Sequence, residues 1–259
     1  MKLRISRQEL AARKLFIAAP MYGGQCFGHY VYGLLQTNTA LIKAGLEPPH
    51  FFPLFNESAI ARGRNYCAHE FMQTSCTHML FIDADIQFTA DDVVSLLALA
   101  DPKSDKDVVC GLYPKKRIDW DKVREAVKQG KNDLEQYTGD LVFNTAGLTG
   151  THDLYAPLEV TECGCGFMMI QRRVFEQFAI SYPALAYTSD GRERPGLKPG
   201  KILACFMDAI VGDRLLTEDF NFCRLVREIG MKVWVAPWLK LNHLGYYKFI
   251  GNPEALSAL

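Results

Sequence analysis

The chain has 259 residues, 49% hydrophobic and 22% charged, with Lys+Arg and Asp+Glu balanced at 29 each. These are the proportions of an ordinary soluble globular protein with enough chain for one large domain or one domain with a small appendage. The charge balance excludes a global field that would draw in nucleic acid or an anionic membrane, though not a local patch.

Residues 1–9 are charged throughout and lack the apolar centre of a signal peptide, and no apolar run approaches a membrane span. The chain has eight cysteines, scattered and mostly inside apolar patterns, as at Cys67, Cys110, Cys205 and Cys223. Without an export signal they read as reduced and buried. Cys163-Gly164-Cys165 is too tight and too isolated for a zinc site.

Residues 15–20 form a short apolar strand stopped by Pro20, and Met21-Tyr22-Gly23-Gly24 is a turn-rich loop. A helix is predicted over about 30–43 with Gly45 as its stop, then a strand over 50–55 and a long helix over about 58–74. The apolar run 79–82 is a buried strand, followed by a helix that starts near Thr89 and runs through Leu99. Residues 107–113 form another buried strand. Such strand–helix alternation predicts an α/β architecture with a largely parallel sheet, which binds ligands at the carboxyl ends of its strands.

Beyond residue 114 the character changes. A charged, exposed helix is predicted over 119–130, short strands at 140–143 and 158–161, a strand at 167–170 introduced by Gly164 and Gly166, and a helix over 172–178. Residues 181–201 look like a long loop with Gly hinges, Arg and Lys, a candidate lid over a bound ligand. A helix follows Thr217, and a strand spans 232–237. The whole reads as one domain over 1–259, with a nucleotide-binding half at about 15–114 and an acceptor half at about 115–250.

Four groups of residues carry chemistry. In Asp83-Ala84-Asp85, at the end of an apolar run, alternation along an extended chain points both carboxylates the same way. They repel unless a cation sits between them, and a hard divalent ion that also holds phosphate oxygens suits them. The alternative is that Asp83 caps the next helix and Asp85 is a turn residue. Arg64, in Ala61-Arg62-Gly63-Arg64-Asn65, is placed either to meet a phosphate or base or, like Arg62, to stay solvated. Thr217 reads as an N-cap, with Glu218 and Asp219 in the first turn, where carboxylates suit the positive helix end. Phe220, Cys223, Val226 and Ile229 are the predicted packing face of that helix. Taken alone, the acidic pair is helix-starting chemistry, and His243, in Leu241-Asn242-His243-Leu244-Gly245, is structural or solvated.

In order, these pieces are a strand-end Pro-x-Tyr loop, an Arg-Asn helix, Asp-x-Asp, a Gly-rich approach to a strand, Glu-Asp on a helix, and a late His. From about Phe16 to Gly245 this order resembles the GT-A class of nucleotide-sugar-dependent glycosyltransferases, in its compact bacterial or viral form related to the large inverting family. The resemblance implies a Rossmann-like, mostly parallel sheet flanked by helices. It also implies transfer of a hexose from a UDP- or GDP-sugar to a glycan or other hydroxyl acceptor, with Mn²⁺ or Mg²⁺. Pro20, Met21 and Tyr22 would then cradle base and ribose, with Arg64 and Asn65 near the base or diphosphate. Asp83 and Ala84 would lie at the ribose or a metal-bound water. Asp85 would ligate the metal with Asp83 and His243, and Gly164, Cys165 and Gly166 would admit the donor sugar. Asp219 would be the general base and Glu218 its neighbour, or the reverse. A location in the cytoplasm, at a membrane periphery or in a viral host's cytoplasm goes with this reading, with nucleic acid as a disfavoured partner and the oligomeric state undetermined. The competing readings are a sugar-phosphate nucleotidyltransferase and a non-catalytic nucleotide-sugar-binding module. The first should carry a cationic phosphate loop after the first strand, and Gly23-Gly24-Gln25 has no cation.

Overall fold

The computed structural model describes residues 5–145, 151–189, 200–245 and 249–257. Its centre is a seven-stranded sheet in the order His50–Phe55, Leu15–Met21, His78–Ile82, Phe167–Gln171, Val108–Gly111, Val233–Ala236, Leu158–Val160. Five strands run the same way, while Phe167–Gln171 and Leu158–Val160 run against them. This is the expected mixed α/β, mostly parallel, helix-flanked architecture of a GT-A or Rossmann-like fold.

The central strands are apolar except for His78 and Gln171 at strand ends, because both faces of the sheet are covered. Phe16, Ala18, Met79, Phe81, Cys110 and Met168 face one core. Their sequence neighbours Ile17, Leu80, Ile82, Val109, Phe167 and Met169 face the other. The first face is covered by the helices Ile60–Met72, Arg172–Ser181 and Glu218–Glu228. The second is covered by Gly28–Lys43 and Ala90–Leu99. On the first face a relay of aromatic rings, Phe16–Phe71–Phe175–Phe222–Phe206–Phe81, crosses the core at centroid spacings of 4.5–6.3 Å.

Several predicted elements take a different form. The helix Ala90–Leu99 is closed by a reciprocal Thr89–Asp92 capping box, so Asp83 caps nothing there. The 140–143 strand shrinks to Phe143–Asn144 plus a bridge between Leu141 and Pro114. The segment 181–201 begins as the last helical residue, a 3-10 turn at Pro183–Leu185 and the strand Ala186–Thr188, which pairs with Lys201–Leu203. Residues 190–199, the body of the expected lid, lie outside the described residues. A second hairpin, Ala209–Val211 with Arg214–Leu216, precedes the Glu218–Glu228 helix and had no clear periodicity in the sequence. All eight cysteines are free thiols, seven buried and Cys26 exposed. Among the described residues, no helix is long and apolar enough to cross a membrane.

Candidate active site

At the carboxyl edge of the sheet, where Leu15–Met21 and His78–Ile82 end side by side, lies a cavity of about 560 Å³. That volume is in the range of small-ligand sites. Pro20, Met21, Tyr22, Arg64, Asp83, Ala84, Asp85 and His243 all line it. Tyr22 is 75% exposed, so its ring presents an open flat face at the mouth. Gln25, Cys26, Phe27 and Ile60 complete the wall. They were missed because nothing in their local pattern separates wall from surface.

Asp83 and Asp85 share this cavity for a reason other than strand alternation. The chain leaves the strand at Ile82 and turns, with Ile86 N–H donating to Asp83 O at 3.0 Å. The turn is pinned from three directions. Asp83 N–H donates to Gly166 O at 3.0 Å, Phe27 N–H to Ala84 O at 2.9 Å, and Leu244 N–H to Asp85 O at 2.7 Å. Extended geometry is therefore corrected to a braced turn that turns both carboxylates toward one space.

Arg64 is the electrostatic centre of the inner wall. It is 4% exposed, on the buried face of the Ile60–Met72 helix, with its guanidinium over the Phe81 ring at 5.1 Å. Nη2 donates to Asp83 Oδ1 and Nε to Glu218 Oε1, each at 3.2 Å. Burial disfavours its charge, but Asp83 and Glu218 outweigh that and hold it firmly protonated. The third nitrogen, Nη1, is buried with no hydrogen-bond partner among the described residues. An idle buried donor costs about 1–3 kcal/mol. The solvated reading of Arg64 does not hold. Arg62, by contrast, pairs with Glu57.

Asp85 and His243 meet on the other side. The strand Asn242–His243 pairs with Ile86–Gln87 and brings His243 Nε2 to 3.4 Å from Asp85 Oδ1. His243 Nδ1 lies 2.9 Å from Pro114 O, a carbonyl that can only accept, so Nδ1 carries a proton and donates to it. Asp85 Oδ2 also takes a hydrogen bond from Lys116 Nζ. Burial would raise the Asp85 carboxyl, but the bonds from His243 and Lys116 prevail and hold it below its ordinary value.

Asp85 and His243, one carboxylate and one imidazole, are the side chains here that could hold a divalent cation between them. The expected trio is not assembled: among the described residues no three of His, Cys, Asp and Glu converge on a metal position, and Asp83 is engaged by Arg64 instead. Lys116 was passed over as part of a charged surface segment, although its place just past a strand's carboxyl end was the available signal.

The Gly164-Cys165-Gly166 turn lies directly behind Asp83. Tyr113 is buried beneath it and its hydroxyl accepts from Gly166 N–H at 2.9 Å. A Cβ on Gly164 would stand 2.2 Å from that hydroxyl, and one on Gly166 2.6 Å from the ring. The glycines are thus required by Tyr113, and neither lines the cavity where a donor sugar was expected beside them. Cys165 is fully buried and does not line the cavity. Asn65, expected beside the donor, spends both ends of its amide on the Phe206 backbone, at 2.8 Å each.

Glu218 and Asp219 start their helix as predicted, but neither lines the cavity. Glu218 reaches it through Arg64; burial pushes its carboxyl above the ordinary value against the pull of Arg64. Asp219 accepts from Thr217 Oγ1 at 2.5 Å and from Phe220 N–H at 2.8 Å. Thr217 occupies the N-cap position, but its side chain makes no cap bond because it serves Asp219. The packing face of the helix is Phe222, Cys223 and Val226, while Phe220 lies against the Arg214 guanidinium.

No family model matches the chain, and no curated protein matches it by sequence. Solved structures do. A197 from STIV superposes with a TM-score of 0.50 at 16% identity, covering 93% of this chain and 94% of that one. GalNAc-T7, in a structure with UDP, GalNAc and Mn²⁺, gives 0.49 at 11% identity, covering 90% of this chain but 44% of that one, so this chain spans less than half its length. The inositol-1-phosphate CTP transferase from T. maritima gives 0.40 at 10% identity, covering 86% and 85%. At these identities the likeness is one of fold.

Proposed function

We propose that the protein is a metal-dependent glycosyltransferase that moves a sugar from a UDP- or GDP-sugar to a hydroxyl of a glycan or other acceptor, with inversion, acting as one domain in the cytoplasm. The observation that carries the reading is that Pro20–Tyr22, Arg64, Asp83–Asp85 and His243, four separate stretches of chain, line one cavity at the carboxyl edge of the sheet.

A nucleoside diphosphate sugar presents a flat base, a ribose diol and a polyanion, and the cavity has a counterpart for each. Tyr22 offers an open ring and Asp83 an acceptor for hydroxyls. Arg64, on the cavity wall, offers its positive charge to the diphosphate. Asp85 and His243 would hold Mn²⁺ or Mg²⁺. Bound there, the ion would stabilise the charge that develops on the departing diphosphate. Glu218 keeps Arg64 oriented. Asp219, outside any described ion pair, is the base that takes the acceptor hydroxyl's proton, an effect of about 10²–10⁴-fold. Placed opposite the diphosphate, that base gives in-line displacement and inversion. The Gly23-Gly24-Gln25 loop brings Gln25 and no cation to the cavity, which weighs against nucleotidyl transfer.

The test is a panel of nucleotide sugars scored by thermal stabilisation with and without Mn²⁺, since bound donor raises apparent stability by mass action. At least one UDP- or GDP-sugar should raise Tm only when Mn²⁺ is present, and Asp85→Asn should remove that dependence. Nucleotide binding indifferent to both metals would sink the reading.

A further inference from the structure

Resting on the two-ligand metal position proposed above, we propose that Lys116 is a built-in competitor for it: its ammonium occupies Asp85 until a divalent cation displaces it, so Lys116 sets the metal concentration at which the site fills. The observations are geometric. Lys116 Nζ hydrogen-bonds Asp85 Oδ2, while His243 Nε2 stands 3.4 Å from the other oxygen, Oδ1. A cation taken up between Asp85 and His243 would thus meet a carboxylate already paired with a positive charge. A divalent ion bound at Asp85 and an ammonium on the same carboxylate repel at close range, so the two states exclude each other.

The backbone beside Lys116 is anchored, which makes the exchange a side-chain event. Lys115 N–H donates to Asp140 O and Asp119 N–H to Thr138 O, both at 2.8 Å, and Pro114 bridges Leu141. Two neighbouring cations are committed to another carboxylate. Lys122 and Arg117 pair with Asp140. Lys116 reaches Asp85, a residue of the cavity wall, and its side chain is 38% exposed, so it can swing into solvent without opening the core. Half-exposed ion pairs are weak, at most about 1 kcal/mol. The ammonium therefore holds the carboxylate in readiness without locking it.

The test is Mn²⁺ titration of the full chain without nucleotide, reading free Mn²⁺ by electron paramagnetic resonance, for wild type, Lys116→Met, Lys116→Arg and Asp85→Asn. Lys116→Met should bind Mn²⁺ about twofold to fivefold more tightly than wild type. Lys116→Arg should stay near wild type, and Asp85→Asn should lose the site. Equal or weaker binding by Lys116→Met overturns the competitor role while leaving the metal reading intact. Absence of Mn²⁺ binding in both wild type and Lys116→Met overturns both.

Discussion

Arg64 and Glu218 are 154 positions apart in the chain, yet Arg64 Nε and Glu218 Oε1 meet at 3.2 Å inside the protein. With Nη2 on Asp83, the guanidinium joins the helix that precedes the aspartate strand to the turn that ends it and to the acidic helix of the second half. Replacing Arg64 by Met leaves two carboxylates facing a low-dielectric wall. The expected cost is about 3–5 kcal/mol, the usual penalty for removing one partner of a buried charge pair. Urea unfolding measures it, and a loss under 1 kcal/mol would show that Arg64 braces little.

Asp219 and Glu218 should separate cleanly. Asp219→Asn is expected to lower turnover by about 10²–10⁴-fold at unchanged donor affinity. Glu218→Gln acts through Arg64, so its main effect should be weaker donor binding. Calorimetric donor affinities beside single-turnover rates decide the matter, and the reverse pattern would exchange the two roles.

Tyr113 and Gly164 make a double-mutant prediction. Gly164→Ala pushes a methyl to 2.2 Å from the Tyr113 hydroxyl. Overpacking of this kind costs about 1–3 kcal/mol. Tyr113→Phe alone leaves Gly166 N–H without its acceptor, at about 1–2 kcal/mol. Combined, the two should cost less than their sum, since the missing hydroxyl makes room for the methyl. Strict additivity in thermal or urea unfolding would count against that geometry.

His78 gives the fold an acid-side weakness. Its Nε2–H donates to Ala100 O and Nδ1 pairs with Thr77 Oγ1, both at 2.8 Å, and burial pushes its pKa down to about 4. Between about 6.5 and 4 the unfolded chain takes up a proton that the folded one refuses. Stability from this group is therefore full above about pH 6.5 and falls as pH drops toward 4. By about pH 5 the loss is about 2 kcal/mol. His78→Gln should lose less between pH 7.5 and 5 than wild type does, and equal slopes in urea unfolding would refute the assignment.

Much of the frame is legible in the chain because it is written in short-range pattern. Doubly covered strands must be apolar along almost their whole length, which is why residues 15–21, 79–82 and 108–111 stand out. Thr89 opens a helix by capping and Gly45 and Gly230 follow helices in left-handed backbone, whereas Pro20 does not stop its strand, which runs on to Met21. The site residues Tyr22, Asp83 and Asp85 were legible because a carboxyl-edge ligand site follows from a parallel sheet.

Direction and pairing were a different matter. An apolar run says nothing about which way it runs, so the antiparallel insertion of Phe167–Gln171 between His78–Ile82 and Val108–Gly111 came only with the fold. Nor does a lone charge announce its partner. In sequence Arg64 reads as a phosphate or base contact or a solvated charge, Lys116 as one charge among several, and Asn65 as the neighbour of Arg64 at the donor. One is buried between two carboxylates, one rests on Asp85, and one mimics backbone at Phe206. By itself the sequence determined each segment's local shape and which faces it had to bury, because those depend on neighbours a few residues away. Only the tertiary structure decided which charges share the cavity, because electrostatic pairing depends on distances between segments that the core packing sets.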